Sequence, residues 1–347
     1  MLGVAVARFA AVQARGVEAV THDADDLTEG FWAVVVTFEG ELTAVRMAEV
    51  ERTPAGRPPG GRDPWPRLAG PWTSSLERAE YLAGVAEVRR RVAAGTVYQV
   101  NLCRVLEHEL PEDASLLALG ERLATGNPAP FAATLDLPEA GVEVACASPE
   151  RYLGRHGARL VSGPVKGTAV AADGLLAKDY AENVMIVDLV RNDLQHVSTP
   201  GTVIVEALCR LERHPGLVHL VSDVAGHLRP GATWAQVLEA TFPPGSVSGA
   251  PKHTALQAIA DLEPVPRGPY CGAVGWVDAD RDEAELAVGI RTFWAARRAD
   301  GTRVLRFGTG AGITWGSSPV AEWDETELKA ARLVGLAAGA GAASGRV

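Results

Sequence analysis

Cysteine is scarce and scattered. Only Cys103, Cys146, Cys209 and Cys271 occur in 347 residues, and no two form a C-x-x-C pair. That spacing suggests neither a zinc centre nor a disulfide framework, and it implies reduced thiols in a cytoplasmic protein. Positive charge is also in deficit: 33 Lys and Arg stand against 43 Asp and Glu, a formal net charge of −10. Such a balance argues against a nucleic-acid or anionic-membrane partner, although a local cationic pocket can still hold a small anion. No apolar run is long enough to cross a bilayer. Residues 1–14 are partly apolar, but Arg8 and Gln13 interrupt them and no small-residue cleavage site follows, so a signal peptide is not read there.

What is present is an ordinary globular core, with 47% hydrophobic residues. Residues 53–70, rich in Pro, Gly and Arg, read as a surface loop, 127–130 as a turn, and 335–347 as a Gly/Ala/Ser tail. Strands are expected at 31–38, 41–45, 97–106, 142–146, 151–154, 203–211, 218–228, 271–278, 285–294 and 304–313. Helical spacing marks 76–94, 175–194, 234–240, 253–261 and 319–336. Adjacent strands with interspersed helices, without regular alternation, predict an α+β fold with large antiparallel sheets.

Three features could carry chemistry. The strings GSVSGAPK (245–252) and GTGAG (308–312) are Gly-rich. Pro251 stands before Lys252 and spoils a phosphate loop, and the second string lacks the strand–turn–helix continuation of a dinucleotide site. Such glycines can let backbone N–H groups approach a carboxylate, or can simply make tight turns. Asp179 and Glu182 lie three apart on one expected helix, and Glu322 and Glu325 on another. They are either solvated faces or oxygen ligands for magnesium. Lys166, between Pro164 and Gly167, is expected on irregular backbone. Exposed, it would be unremarkable; buried, its lowered pKa would make it a nucleophile or base.

Taken in order along the chain, the strings resemble the chorismate-utilising enzymes. They are Tyr98-Gln-Val-Asn-Leu102, Ser148-Pro-Glu150, Pro164-Val-Lys-Gly-Thr168, and Lys178-Asp-Tyr-Ala-Glu-Asn183 running into Met185-Ile-Val-Asp-Leu-Val-Arg-Asn-Asp-Leu194. His219-Leu-Val-Ser222, Phe242-Pro-Pro-Gly-Ser246, Gly249-Ala-Pro-Lys252, Arg267-Gly-Pro-Tyr-Cys-Gly272 and Ile290-Arg-Thr292 follow, then Gly310-Ala-Gly-Ile313, Ser318-Pro and Glu322 to Lys329. The resemblance covers about residues 72–336. It implies two large packed antiparallel sheets with outer helices and a site between them. It divides the chain into a short strand-rich extension and loop (1–71), a chorismate-binding catalytic domain (72–336) and a flexible tail (337–347).

Roles follow position by position from the resemblance. Glu182 and Glu325 match magnesium-binding glutamates, with Glu322 as their supporting partner. The metal would bridge to the ring carboxylate and help the C4 hydroxyl leave. Glu150 matches the general acid, held protonated by burial, and His219 lines the ring pocket. Tyr270 and Arg291 match residues that hold the enolpyruvyl carboxylate. Gly310 and Gly312 would give it backbone N–H groups, Lys329 would add positive charge, and Gly167 and Thr168 would contact the ring side.

Two positions select among the family's reactions. Where isochorismate and salicylate synthases carry a water-activating lysine, this chain has Gln99, which cannot act as that base. Where anthranilate synthases usually carry alanine, it has Lys166, as aminodeoxychorismate synthases do. The resemblance therefore implies Lys166 attacking C2 as the C4 hydroxyl departs, then ammonia displacing it at C4 to give 4-amino-4-deoxychorismate for p-aminobenzoate and folate supply. Alternatives are anthranilate synthase component I, isochorismate synthase, and a catalytically silent chorismate-binding protein. Ammonia is expected from a separate glutamine amidotransferase subunit, since no cysteine here lies in a glutaminase nucleophile turn. A downstream aminodeoxychorismate lyase would complete the route. The stretch after Thr168 is short and lacks an arginine usual in the family. The brief N-terminal part leads us to expect no inhibition by tryptophan.

Overall fold

Phe31-Trp-Ala-Val-Val-Val36 is apolar at every position, which suits a strand buried on both faces. In the computed structural model it is buried along its whole length. The structure describes residues 5–52, 65–169, 171–214 and 217–339. Among these, the first strands are β1 (Val6–Phe9), β2 (Val12–Thr21), β3 (Phe31–Val36), β4 (Leu42–Arg52) and β5 (Thr73–Ser74), followed by helix α1 (Arg78–Ala93) and β6 (Gln99–Glu109). Helix α2 (Leu116–Gly126) precedes β7 (Phe131–Leu137), β8 (Val142–Ser148), β9 (Arg151–His156), β10 (Arg159–Gly163) and β11 (Val165–Ala169). Helix α3 (Ala177–Gln195) leads to β12 (Ile204–His214) and β13 (Leu217–His227), then α4 (Trp234–Thr241), β14 (Gly249–Ala250) and α5 (Lys252–Leu262). Strands β15 (Ala273–Asp278), β16 (Glu283–Val288), β17 (Thr292–Arg297) and β18 (Arg303–Ile313) precede α6 (Pro319–Ala337).

The ladders are antiparallel and trace one path through two arms. One arm runs β6–β18–β17–β8–β7. The hairpin β1–β2 joins it to the other, which runs β4–β3–β15–β16–β9–β10–β13–β12. Their inner faces share one core: Leu135 and Val144 of the first arm pack in the same cluster as Val34, Val274 and Leu286 of the second. The two expected sheets are thus present as arms of a single hydrogen-bonded sheet. Helices α2 and α6 cover the outer face of the first arm through Leu119, Leu123, Leu333 and Leu336. Helices α1 and α5 close the end of β6 and β18 through Tyr81, Val85, Ala258 and Ile259. No described helix is long and apolar enough to cross a membrane.

Several expectations are corrected. The strand expected at 285–294 is two, β16 and β17. It breaks where Gly289 lies against the Pro269 carbonyl and Arg291 takes a left-handed φ of 53°. Lys166 lies within strand β11 rather than in a loop, but the expected irregular backbone is there: the β11–β13 register shifts between Val165 and Thr168, across Lys166 and Gly167. The described strands before residue 53 are built into the common sheet: β3 is an interior strand between β4 and β15, and β1 pairs with β7. Of the loop expected at 53–70, residues 53–64 lie outside the described residues. Trp65 and Leu68 beyond them are buried, and Trp65 Nε1 donates to the Ala337 carbonyl at 2.7 Å. Most of the expected tail, 340–347, also lies outside the described residues, while Ala337 is the buried last residue of α6.

Candidate functional site

The string GTGAG is neither a turn nor a nucleotide loop. Gly308, Gly310 and Gly312 alternate along β18 and so share one face. Each lacks a Cβ because another side chain occupies its place. A Cβ would come within 2.0 Å of the Tyr270 ring at Gly308, 2.6 Å of Cys103 Sγ at Gly310, and 2.4 Å of Gln99 Nε2 at Gly312. Strand β17 covers β18 only as far as Phe307. Gly310 and Gly312 stand opposite Cys103 and Asn101, whose own N–H groups turn away from β18 to Glu263 Oε1 (2.8 Å) and the Ser248 carbonyl (2.9 Å). Facing residues of an antiparallel pair share this orientation, so the N–H groups of both glycines point to the edge that β17 leaves open. On that edge Lys329 Nζ donates to the Gly310 carbonyl at 3.0 Å.

Lys166 approaches the same place from β11. Its half-buried ammonium donates to the Ser246 carbonyl at 3.0 Å and lies 3.8 Å from the position a Gly312 Cβ would take. Burial lowers its pKa, with help from Lys329 and against the pull of Glu182, Glu150 and Glu325. Gly167 permits the approach to α3. Its φ is 79°, and a Cβ there would meet Asp179 Cβ at 2.8 Å. Asp179 is spent on capping, its Oδ2 accepting from Leu176 N at 2.7 Å, which leaves Glu182 as the free carboxylate of that pair. Next to Glu182, fully buried Asn183 pins α3 to β13. Its Nδ2 donates to the Leu220 carbonyl at 3.1 Å, and its Oδ1 accepts from Ser222 Oγ. Thr168 faces His219 in the β11–β13 ladder, and His219 is 3% exposed.

Glu150, 3% exposed, sits at the turn between β8 and β9. Burial raises its pKa to about 7 against the opposing influence of Ser246, Lys166, the Val165 backbone and Arg291. Arg291 has no hydrogen-bond or ion-pair partner for its guanidinium among the described residues. Its pKa is lowered by burial and by Arg332. Tyr270 is less open than the sequence suggests. Its ring covers Gly308, it is 5% exposed, and its hydroxyl accepts a 3.8 Å contact from Cys103 Sγ. Gly308→Ala should therefore displace that ring. We expect a loss of about 1–3 kcal/mol, the usual cost of overpacking, read as a lower Tm, together with a raised KM for the substrate.

Helix α6 supplies Glu322, Glu325 and Lys329 from one face, with Lys329 Nζ 2.6 Å from Glu325 Oε1. Burial raises the pKa of Glu182 and of Glu322. Burial pushes Glu325 up as well, but Lys329, Lys178 and Lys166 outweigh it and hold the carboxyl below its ordinary value. Among the described residues no three His, Cys, Asp or Glu side chains cluster closely enough to cage a metal. The donors available are carboxylates of α3 and α6, with Glu325 adding to the rise in the pKa of Glu182. That set suits a hard cation such as Mg2+, which keeps waters and takes further oxygens from an anionic substrate.

The sequence reading missed Ser246, whose carbonyl holds Lys166; the Phe242–Ser246 motif was visible, but nothing in it announces a carbonyl acceptor. Lys252 is structural, its Nζ paired with Asp193 Oδ2 at 2.7 Å. Gln99, 2% exposed, lies against Gly312, and its Oε1 has no hydrogen-bond partner among the described residues.

The chorismate binding enzyme family model matches residues 24–335. Anthranilate synthase component 1 of Streptomyces coelicolor is 38% identical over 295 residues, 82% of this chain and 56% of that protein. Aminodeoxychorismate synthase component 1 of Bacillus subtilis is 31% identical over 322 residues, 88% of this chain and 66% of that one. The chain thus spans about half to two thirds of the length of these relatives. Among solved structures, anthranilate synthase component I of Streptococcus pneumoniae superposes with a TM-score of 0.76 at 21% identity, covering 95% of this chain and 89% of that one. The menaquinone-specific isochorismate synthase of Escherichia coli gives 0.74 at 19%, covering 96% and 88%. Both share the fold, and the chain belongs to the family of chorismate binding enzymes.

Proposed function

We propose that this chain replaces the C4 hydroxyl of chorismate by ammonia, as the synthase component of an aminodeoxychorismate synthase, with Lys166 as nucleophile. The observation that carries the reading is the place of Lys166. Its amine is drawn toward neutrality by burial and stands among Glu150, Glu182, Glu325 and Lys329, beside the glycine floor. A lysine in solvent would have ended the idea.

Arg291 and Lys329, with the open N–H groups of Gly310 and Gly312, bind and orient the carboxylates of the substrate. Glu182 and Glu325 would hold Mg2+, with Glu322 beside them, and the ion would supply charge neutralisation for the ring carboxylate and the departing hydroxyl. The neutral Lys166 amine forms a bond to C2. The C1–C2 and C5–C6 π electrons shift to C1–C6 and C4–C5, and the C4–O bond breaks, its electron pair leaving as water with the proton of Glu150. Ammonia then bonds to C4, the double bonds shift back, and the C2–N bond breaks, returning its pair to Lys166. The proton shed by the new amine restores Glu150. Gln99 is an amide and takes no proton from water, which disfavours hydration in place of amination.

A second reading is amination at C2 with pyruvate loss, giving anthranilate; the 38% identity to an anthranilate synthase component 1 favours it. Mass spectrometry of the product from chorismate, Mg2+ and ammonium separates the two. We expect an aminated product that retains the enolpyruvyl group, and anthranilate with pyruvate would overturn this. The ammonia source is proposed to be a glutamine amidotransferase subunit, so the chain alone should turn over ammonium but not glutamine; glutamate released from glutamine by the pure chain would refute that assignment.

A further inference from the structure

Taking a cation out of water is costly, so Arg104 calls for a reason. It stands on β6 with 3% exposure, and among the described residues all but one of its guanidinium's partners lie on α6. Nε donates to Thr326 Oγ1 at 3.0 Å, Nη2 pairs with Glu327, and the guanidinium lies 4.1 Å from the centroid of the Trp323 ring. The exception is Ser74 Oγ, which accepts from Nη1 at 3.2 Å. Thr326 is fully buried and is held a second time, its carbonyl accepting from Thr309 Oγ1 of β18 at 2.9 Å. An apolar side chain of similar volume would fill the same space without desolvating a charge, and such exchanges are often neutral or stabilising. It would not fix orientation, which a guanidinium does through its rigid fork and its stacking face.

The turn that Arg104 grips, 323–327, carries Glu325 on the neighbouring face of α6 and follows directly on Glu322. Resting on the reading of Glu182 and Glu325 as the cation's carboxylates, we propose that Arg104 is a positioning residue. From β6 it sets the rotation and height of this turn, and so the approach of Glu325 to Glu182 across the cleft. On the other side, Asn183 pins the turn of α3 that carries Glu182. The cation site is thereby held by two buried polar clamps, each tying one helix to the sheet beneath it.

Binding of Mn2+ to the whole chain, followed through the EPR signal of the free ion with chorismate present and ammonia withheld, tests this without turnover. Arg104→Met should weaken Mn2+ binding by about ten-fold, the loss usual when a support of a metal ligand is removed. Arg104→Lys should recover part of it, and the melting temperature should change by only a few degrees. Thr326→Val removes the acceptor of Nε at constant volume and should weaken binding in the same direction, which keeps the question open to decision if Arg104→Met does not fold. Wild-type Mn2+ affinity in the folded variants would overturn the role of Arg104. A wild-type chain that binds no Mn2+ would overturn the cation reading beneath it, and the clamp with it.

Discussion

Lys166→Ala is expected to lower the rate of C4 amination by about 10³-fold or more, while chorismate binding stays within a few-fold of wild type. The first half follows from chemistry. Without the amine no covalent bond forms at C2, and the C4 hydroxyl must leave unaided by a nucleophile. The second half follows from geometry, because the groups that would hold the substrate's carboxylates, Arg291, Lys329 and the open edge of β18, come from elements that Lys166 does not support. The ammonium donates to the Ser246 carbonyl, so its removal gives up one hydrogen bond but also the cost of burying a charge, and Tm should change little. Space also opens beside C2, so residual turnover should shift toward C2 amination and release of anthranilate and pyruvate. A variant that still makes the C4-aminated product at the wild-type rate would remove lysine from the mechanism. In the intact enzyme the amine must be neutral to attack. Burial holds its pKa below the ordinary lysine value, so activity should rise with pH in a range lower than a free lysine would set.

The regular elements of this chain were legible wherever period and β-branching agree: α1, α3, α6, β3 and β18 lie within a few residues of their expected bounds. Part of what escaped notice, beside the strands β1, β2 and β7, had local signals that argue against structure. Helix α2 contains Gly120, which weakens a helical reading; in the fold that glycine is required, because a Cβ would lie 2.1 Å from Thr134 Oγ1. Strands β10 and β11 surround Pro164 and Gly167, punctuation that locally reads as loop, and only pairing with β13 makes them strands. The candidate site divides in the same way. Residue types and order along the chain brought Glu150, Lys166, Glu182, Arg291 and Glu325 together in advance, through likeness to a family. The sequence was silent on supports set by tertiary approach, such as the Ser246 carbonyl against Lys166, the Tyr270 ring over Gly308, and Arg104 beneath α6. A carbonyl carries no residue identity, and a missing Cβ becomes meaningful only once its neighbour is known.

Glu150→Gln should reduce kcat by roughly 10²–10⁴-fold, the usual contribution of a positioned general acid, and should remove one limb of the pH profile. Glu150 acts as an acid only while protonated, and burial raises its pKa to about 7. Activity of the wild type should therefore fall as pH rises through about 7, in opposition to the rise expected from Lys166. The pH–rate profile of the wild type should be bell-shaped, and the residual rate of the glutamine variant should lose the alkaline fall. The same shift has a cost in stability, and its sign is fixed. The native state keeps the proton up to about 7, whereas the unfolded chain releases it near the ordinary glutamate value of 4.5. Stability from this group is therefore complete below about pH 4.5 and is lost progressively between there and about pH 7. The raised pKa corresponds to roughly 3 kcal/mol by the usual conversion of pKa shift to free energy. Glutamine fills the same place without a charge to bury. The variant should accordingly match the wild type in denaturant melts at pH 4 and exceed it at pH 8 by up to that amount, gaining stability as it loses turnover. An equal loss of stability at both pH values would mean that the carboxyl is held by packing rather than disfavoured by burial. An alkaline limb that survives the substitution would pass the role of acid to another group.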